Sequence, residues 1–316
     1  MTAADPTRAP TARLPGGLDA YRADKAYLGA YLGADHQRNE RRTWIVAGVC
    51  AVTLAAQIAG GLLFHSMALT ASGLHMAAHL AAMLVAAGAY ALARRHAGSA
   101  RFTFGTGKLG DLAGFANAVV LGMTAVLIAV ESGQRLLAPE AVEYGSALPL
   151  AAGGLAVTLI CVFLLKPRAE AARDNNIAAA HLHLTADALV GGLAIAGLLA
   201  GQRLGWAWAD PLAGLAGAAL VAQFAVSLMK TSAMTLLDMN PSRELTAEIR
   251  ARLEAEGERV LDLHLWRLGP GHNAAVAVVA SREPRPAAAY HARLKGLAGL
   301  SHLTVEVRTE AASGGL

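Results

Sequence analysis

The sequence predicts an α-helical membrane protein: six transmembrane helices, then a small cytoplasmic α+β domain of order α-β-β-α-β. Three observations carry this. The 316-residue chain is 55% hydrophobic and only 16% charged, whereas soluble domains carry about 25% charged residues. Six apolar stretches, each near the ~20 residues a spanning helix needs, alternate with short polar loops. After Pro241 the long apolar runs give way to short alternating segments.

Residues 1–42 hold Pro, Gly and charge without a sustained apolar period and read as a cytoplasmic tail, with no cleavable signal peptide. The transmembrane domain is expected over 43–238, with spans near 43–64, 66–93, 112–136, 147–165, 177–201 and 212–237. Arg38, Arg41 and Arg42 precede the first span, Arg94, Arg95, Arg101 and Lys108 follow the second, and Lys166, Arg168 and Arg173 follow the fourth. The alternate loops carry only Arg135 and Arg203. Basic loops stay on the cytoplasmic side, so both termini are expected in the cytoplasm and the chain in the inner (plasma) membrane. The net charge of +4 without a dense Lys/Arg run gives no reason to expect nucleic acid as a partner. Cys50 and Cys161 lie in apolar runs and read as buried small hydrophobes, with no CxxC present.

The fifth span carries the chemistry. It reads IAAAHLHLTADALVGGLAIAGLLAG, apolar except for His181, His183 and Asp187. His183 and Asp187 stand four apart and share one helix face. His75 and His79 repeat that spacing in the second span. Ionisable groups in hydrocarbon are costly and normally face the protein interior or a water-filled path. A single membrane histidine is as well explained by a bond to a backbone carbonyl. Two such pairs in separate spans point instead to one four-ligand site. Three imidazoles and a carboxylate suit Zn²⁺, Co²⁺ or Ni²⁺, while Ca²⁺ and Mg²⁺ ask for more oxygens. Ser72, Asn176, Gln57 and Asn117 are candidates for lining the same cavity, although Gln57 and Asn117 fit interhelical packing better. His181, two residues before His183, points elsewhere.

In the last domain (239–310, then a tail 311–316), residues 245–256 follow Ser242 with helical spacing. Residues 260–268 alternate like a half-buried strand, Gly269-Pro270-Gly271 is a turn, 274–280 a buried strand, 286–297 a helix and 303–308 a last strand. Helices are expected on one face of a small sheet. Glu306 lies four on from His302, on the same strand face. Asp262, His264 and His302 have a plain reading as groups pairing across the sheet. Trp266 reads as packing and His272 as a weak candidate.

These motifs resemble the cation diffusion facilitators: HxxxH in span two, HxxxD in span five, FGTGK after span two, Asp-Pro before span six, and DLHLWRLGPG with HLTVEV near the end. The likeness covers nearly the whole chain, from about His36 to Arg308. It implies a homodimer of six-span subunits, each with a metallochaperone-like cytoplasmic domain, exporting divalent transition metal from the cytoplasm in exchange for protons. It is not an enzyme family. By motif position the transport ligands fall on His75, His79, His183 and Asp187, and a regulatory metal site on His264, His302 and Glu306. The branch reading GTGK and DLHLWRLGPG leans toward Co²⁺, with Zn²⁺, Cd²⁺ and Ni²⁺ also accepted. The ion is substrate and regulator, with no permanently bound cofactor. Ser72 and Gln57 stand where relatives often carry Asp and Glu, which removes two proton carriers. Two other classes compete: a membrane redox protein with bis-histidine haem, and a metal sensor that does not transport.

Overall fold

In hydrocarbon every backbone N–H and C=O must find a partner within the chain, and the six apolar stretches answer with six long helices. They are α1 (His36–Leu63), α2 (Met67–Arg95), α3 (Leu109–Leu137), α4 (Tyr144–Leu165), α5 (Asn175–Leu204) and α6 (Ala209–Leu236), all long and apolar enough to cross a bilayer. This computed structural model describes residues 31–32, 35–63, 67–138, 143–167 and 174–309, without the side chains of residues 61, 67–71, 74 and 75. The tails, Arg168 and Arg173, the loop residues Pro139 and Glu140, and the His75 side chain lie outside that description.

Local signals set the helix ends. The Asp174 side chain accepts the Asn176 N–H and caps α5, and Gly205 ends it at φ 70° with its N–H on the Gly201 carbonyl. That left-handed conformation costs glycine little. Pro211 sits in the first turn of α6, where a missing N–H is harmless. α3 lies along α6, α1 along α2, and α5 meets α3, α4 and α6. Small residues let α3 and α6 close up: a Cβ on Gly122 would stand 3.7 Å from that of Ala225. Val126, Leu127, Val130, Leu159 and Phe163 are exposed on the outside of the bundle, as a surface that meets lipid requires. Cys50 and Cys161 are free thiols buried in the core of α1, α2, α4 and α5. Trp206 and Trp208 stack at 5.3 Å between α5 and α6, the kind of aromatic pair that anchors a span at the interface.

At the opposite end lies the sheet domain: α7 (Arg243–Leu253), β1 (Arg259–Gly269), β2 (His272–Ser281), α8 (Ala287–Leu294) and β3 (Leu300–Thr309). The strand order is β1-β2-β3, with β2 antiparallel to β1 and parallel to β3. The parallel pair follows from α8, since a parallel partner needs a crossover. Ile249, Leu253, Leu265, Ala277, Val279, Tyr290 and Leu294 form the core between both helices and one sheet face. Ser242 Oγ accepts the Leu245 N–H at 3.1 Å and caps α7. Arg293 grips both oxygens of buried Glu258 at 3.0 and 2.8 Å and donates to the Leu253 carbonyl at 3.1 Å. These hydrogen bonds hold the Glu258 carboxyl below the usual glutamate range.

The FGTGK and LGPG motifs meet. Between α2 and α3, Gly107 packs backbone to backbone against the β1–β2 turn and the Tyr31 segment. A Cβ on Gly107 would fall 2.7 Å from both Gly269 Cα and the Tyr31 carbonyl oxygen. Phe104 from the same loop sits edge-on to Trp266 at 5.6 Å and to His302 at 5.9 Å. Lys108 pairs with Asp238 beyond α6. Residues 31–32 and the C-terminal domain therefore occupy one side of the bundle.

Gly107→Val should force this junction apart. The expected result is faster amide hydrogen exchange across residues 267–272 with the helical content of the bundle unchanged; unaltered exchange there would contradict the close approach. Glu258→Gln should destabilise the sheet domain by about 1–3 kcal/mol, the scale of a lost charged hydrogen bond. The Glu258 pKa is depressed on folding, so the contribution is complete above the free-glutamate value of about 4.3. It is lost as pH falls through the lower folded value. Exchange of the β1 amides should show that acid sensitivity in the native chain and lose most of it in the variant. Identical exchange in the two chains would contradict the assignment.

Candidate metal centre

α2 and α5 approach each other in mid-span, and three of the four expected ligands converge there. His79 Nδ1 lies 3.1 Å from His183 Nε2, and His79 Nε2 lies 3.1 Å from Asp187 Oδ2. The two rings meet edge-on, with centroids 5.2 Å apart. Both histidines are buried, at 3% and 5% exposure, while the Asp187 side chain is 21% exposed. Thr158 of α4 donates to Asp187 Oδ2 at 3.3 Å, a contact with no signal in the sequence. His75 stands one turn before His79 on α2.

The His79 ring lies between the other two groups, each nitrogen turned to one of them. A neutral imidazole offers one donor and one acceptor, so protons shared among the three groups link them in this arrangement. Among the described residues no group of three His, Cys, Asp or Glu is disposed around one ion position. A cation placed among these three must displace a shared proton and turn the His79 ring. Neutral imidazoles and an ionised carboxylate are the forms that ligate. The set is thus able to exchange protons for a divalent cation.

A cavity of about 640 Å³ leads away from Asp187 and Thr158, past Ser72 and Gly191, to Arg135, Glu143 and Ser146 at the end remote from the sheet domain. Of the other expected lining residues, only Ser72 borders it. Gln57 Nε2 donates to Ser72 Oγ at 3.0 Å and joins α1 to α2. Asn117 Nδ2 donates to the Ala82 carbonyl at 3.3 Å, and Asn176 Nδ2 to that of Ala86 at 2.8 Å; both fasten neighbouring helices to α2. His181 is half-buried on a different side of α5 from His183.

Nearer the sheet domain, the structure gathers polar residues that sequence reasoning missed. Asp174 Oδ2 accepts from Asn39 Nδ2 of α1 at 3.1 Å and from the Tyr90 hydroxyl of α2 at 2.6 Å, while Oδ1 accepts the Asn176 N–H. Asp111 accepts from Asn175 Nδ2 at 2.6 Å and lies within electrostatic reach of Arg267 in β1. The first network draws α1, α2 and α5 together; the second links the sheet domain to the start of α5.

In the sheet domain, His264, His302 and Glu306 share the face not covered by helices, but β2 separates them. Register aligns His264 with Val276 and Thr304, and Trp266 with Ala274 and His302. Two strand spacings, about 9.6 Å, therefore part β1 from β3. His264 Nε2 lies 2.8 Å from Asp262 Oδ2, and Glu306 is held by Arg308 at 2.8 Å. One chain does not bring the three together. His272 bonds Ser301 Oγ at 2.7 Å and packs against Tyr31. Burial holds its pKa below the usual imidazole value against a backbone bond to Leu32.

Residues 43–237, more than half of the chain, match the cation efflux transmembrane domain family. Zinc transporter ZitB of Escherichia coli (strain K12) is 34% identical over 247 residues, covering 77% of this chain and 78% of that protein. The metal cation efflux system protein CzcD of Cupriavidus metallidurans is 30% identical over 247 residues, 77% of each chain. The cadmium, cobalt and zinc/H(+)-K(+) antiporter of Bacillus subtilis (strain 168) is 26% identical over 290 residues, 89% of this chain and 93% of that one. A six-span bundle with an α+β domain at one end, a paired histidine and aspartate between its second and fifth spans, and these matches lead to one conclusion: the chain belongs to the cation diffusion facilitator family and is a multi-pass inner-membrane cation-efflux transporter.

Proposed function

We propose that this transporter exports divalent transition-metal ions from the cytoplasm in exchange for protons, through His75, His79, His183 and Asp187. The observation that carries this reading is the contact of His79 with both His183 and Asp187 at 3.1 Å. A divalent ion and protons compete there for the same lone pairs, so metal affinity falls as pH falls. Acid outside releases metal into the wide cavity beside Asp187, and a more basic cytoplasm restores the ligating forms. Since Ser72 and Gln57 carry no charge, the ligands themselves carry the protons.

Imidazole nitrogens with one carboxylate accommodate Co²⁺, Zn²⁺, Ni²⁺ and Cd²⁺ alike, and the relatives' names include zinc, cadmium and cobalt. Co²⁺ is the favoured substrate in this proposal, on the branch motifs. The sheet domain and both termini face the cytoplasm, in agreement with the basic loops. Two copies form the working unit. Their exposed sheet faces, which carry His264, His302 and Glu306, provide a regulatory metal site assembled between chains.

The haem and sensor alternatives fall with the family match. Two histidine nitrogens 3.1 Å apart also leave no gap for a porphyrin between them.

In proteoliposomes with a metal dye and a pH dye on opposite sides, acid on the face remote from the sheet domain should drive metal outward and carry protons inward. His183→Ala and Asp187→Ala should each abolish flux while the protein stays folded. Flux indifferent to the pH gradient, or undiminished in either variant, would contradict the proposal. His79→Asp should raise Mn²⁺ flux relative to Co²⁺ and Zn²⁺, because a carboxylate replaces a borderline nitrogen donor. Unchanged relative rates would remove His79 from the ligand set.

A further inference from the structure

The two halves of the bundle differ. On the remote side, Asp187 opens onto the wide cavity that reaches Arg135 and Glu143. Toward the sheet domain, Met83, Ala86, Ile177, Ala180 and Leu184 are packed shut in one core, and Asp174 holds α1, α2 and α5 together above it. This closed half nevertheless contains a seam of polar side chains. Asn176 and Ser232 are completely buried, and Asn117 and Asp111 are each 2% exposed.

Among the described residues, two groups in that seam have no partner. Asn176 donates from Nδ2 to the Ala86 carbonyl at 2.8 Å, which fixes its amide orientation, but its Oδ1 accepts nothing. Ser232 Oγ on α6 likewise has no hydrogen bond. A buried acceptor without a donor is costly, more so away from water. Fastening α5 to α2 requires only the Asn176 nitrogen, and an alanine at 232 would remove the second cost outright. Both oxygens are explained if another state of the transporter satisfies them. Asn176 lies seven residues before His183, two turns along the same face of α5, a rise of about 10.5 Å. Glycines of α3 cover the seam: a Cβ on Gly110 would stand 3.2 Å from Asn176 Cβ, and one on Gly114 would stand 3.1 Å from Ser232 Oγ. At these two positions α3 meets the seam with glycine backbone.

We propose that this seam is the collapsed cytoplasmic leg of the cation's route, and that Asn176 Oδ1 is an oxygen ligand for the incoming divalent ion before it reaches His183. Ser232 supplies a hydroxyl to the ion's remaining water shell. The inference rests on His79, His183 and Asp187 being the transport ligands. A neutral amide oxygen suits a waiting position, since a site on a path must bind weakly enough to let the ion leave.

Inverted membrane vesicles, with the cytoplasmic face outward, measure loading from that side with Zn²⁺ and Mn²⁺ as probes. Asn176→Leu should raise the KM for Zn²⁺ by about tenfold, a typical loss when a supporting group at a metal site is removed. Equilibrium Zn²⁺ binding at the His79, His183 and Asp187 site of the purified full-length variant should stay unchanged, since the waiting position holds the ion only in transit. Asn176→Asp keeps the oxygen and loses the amide donor. It should retain Zn²⁺ uptake and raise Mn²⁺ uptake relative to Zn²⁺. A purely structural asparagine predicts the reverse, with the Asp variant failing alongside Leu. Ser232→Ala should melt higher than the native chain yet load more slowly. Wild-type KM in Asn176→Leu, loss of uptake in Asn176→Asp, or undiminished loading in Ser232→Ala would each overturn the proposal. His183→Ala in the same vesicles separates the two claims. Uptake retained in that variant topples the transport-site reading. Uptake lost there, with wild-type loading in Asn176→Leu, topples only the waiting site.

Discussion

Within hydrocarbon a carboxylate or an imidazole has no water to pair with, so each one in a span must find its partners in the protein. The bundle is arranged around that constraint. Asp187 is engaged by His79 and Thr158, His79 by His183, and Asp174 by Asn39, Tyr90 and the start of α5. All but the cap bond that Asp174 accepts from the Asn176 N–H cross between helices, so the groups proposed to bind the ion also set how α1, α2, α4 and α5 lie against one another. An ion that takes over one of these partnerships therefore changes the forces between helices as well as the protonation of the site. On the proposed ligand set, substrate binding and helix movement are joined at the same atoms.

The sheet domain is tied into that arrangement at the bundle's end. Gly107, Gly269 and Tyr31 meet backbone to backbone, Lys108 pairs with Asp238, and Arg267 faces Asp111, whose carboxylate holds Asn175. Asn175 opens the helix that carries His183 and Asp187 eight and twelve residues later. A displacement of the β1–β2 turn thus acts on the α2–α3 loop and on the first turn of α5 together. The two glycines leave no side chain to absorb the motion.

Much of this was legible in the sequence because it depends on short spacings. His183 and Asp187 four apart, and the alternation of 260–268, are local patterns that the helix and strand repeats convert into shared faces. What escaped depends on distant pairs. Asn39 and Tyr90 lie 135 and 84 residues from their contact with Asp174, and no periodicity announces them. The polar residues of the spans could be sorted only in part: Gln57 and Asn117 fit packing and spend their donors on neighbouring helices, whereas Ser72, which lines the cavity, and Asn176, which donates to a neighbouring helix, could not be told apart. In the sheet domain the four-residue spacing placed His302 and Glu306 on one strand face. It did not show that β2 would lie between that strand and His264, because strand order follows from the α8 crossover rather than from any strand's own pattern.

The central claim is that metal and protons compete for His79, His183 and Asp187. Calorimetry of Zn²⁺ binding to the purified transporter, repeated near pH 7 in buffers of different ionisation enthalpy, counts the protons released per ion. The account predicts release of at least one proton per ion bound, with a smaller count in His79→Ala. Binding at this site with no proton released would contradict it.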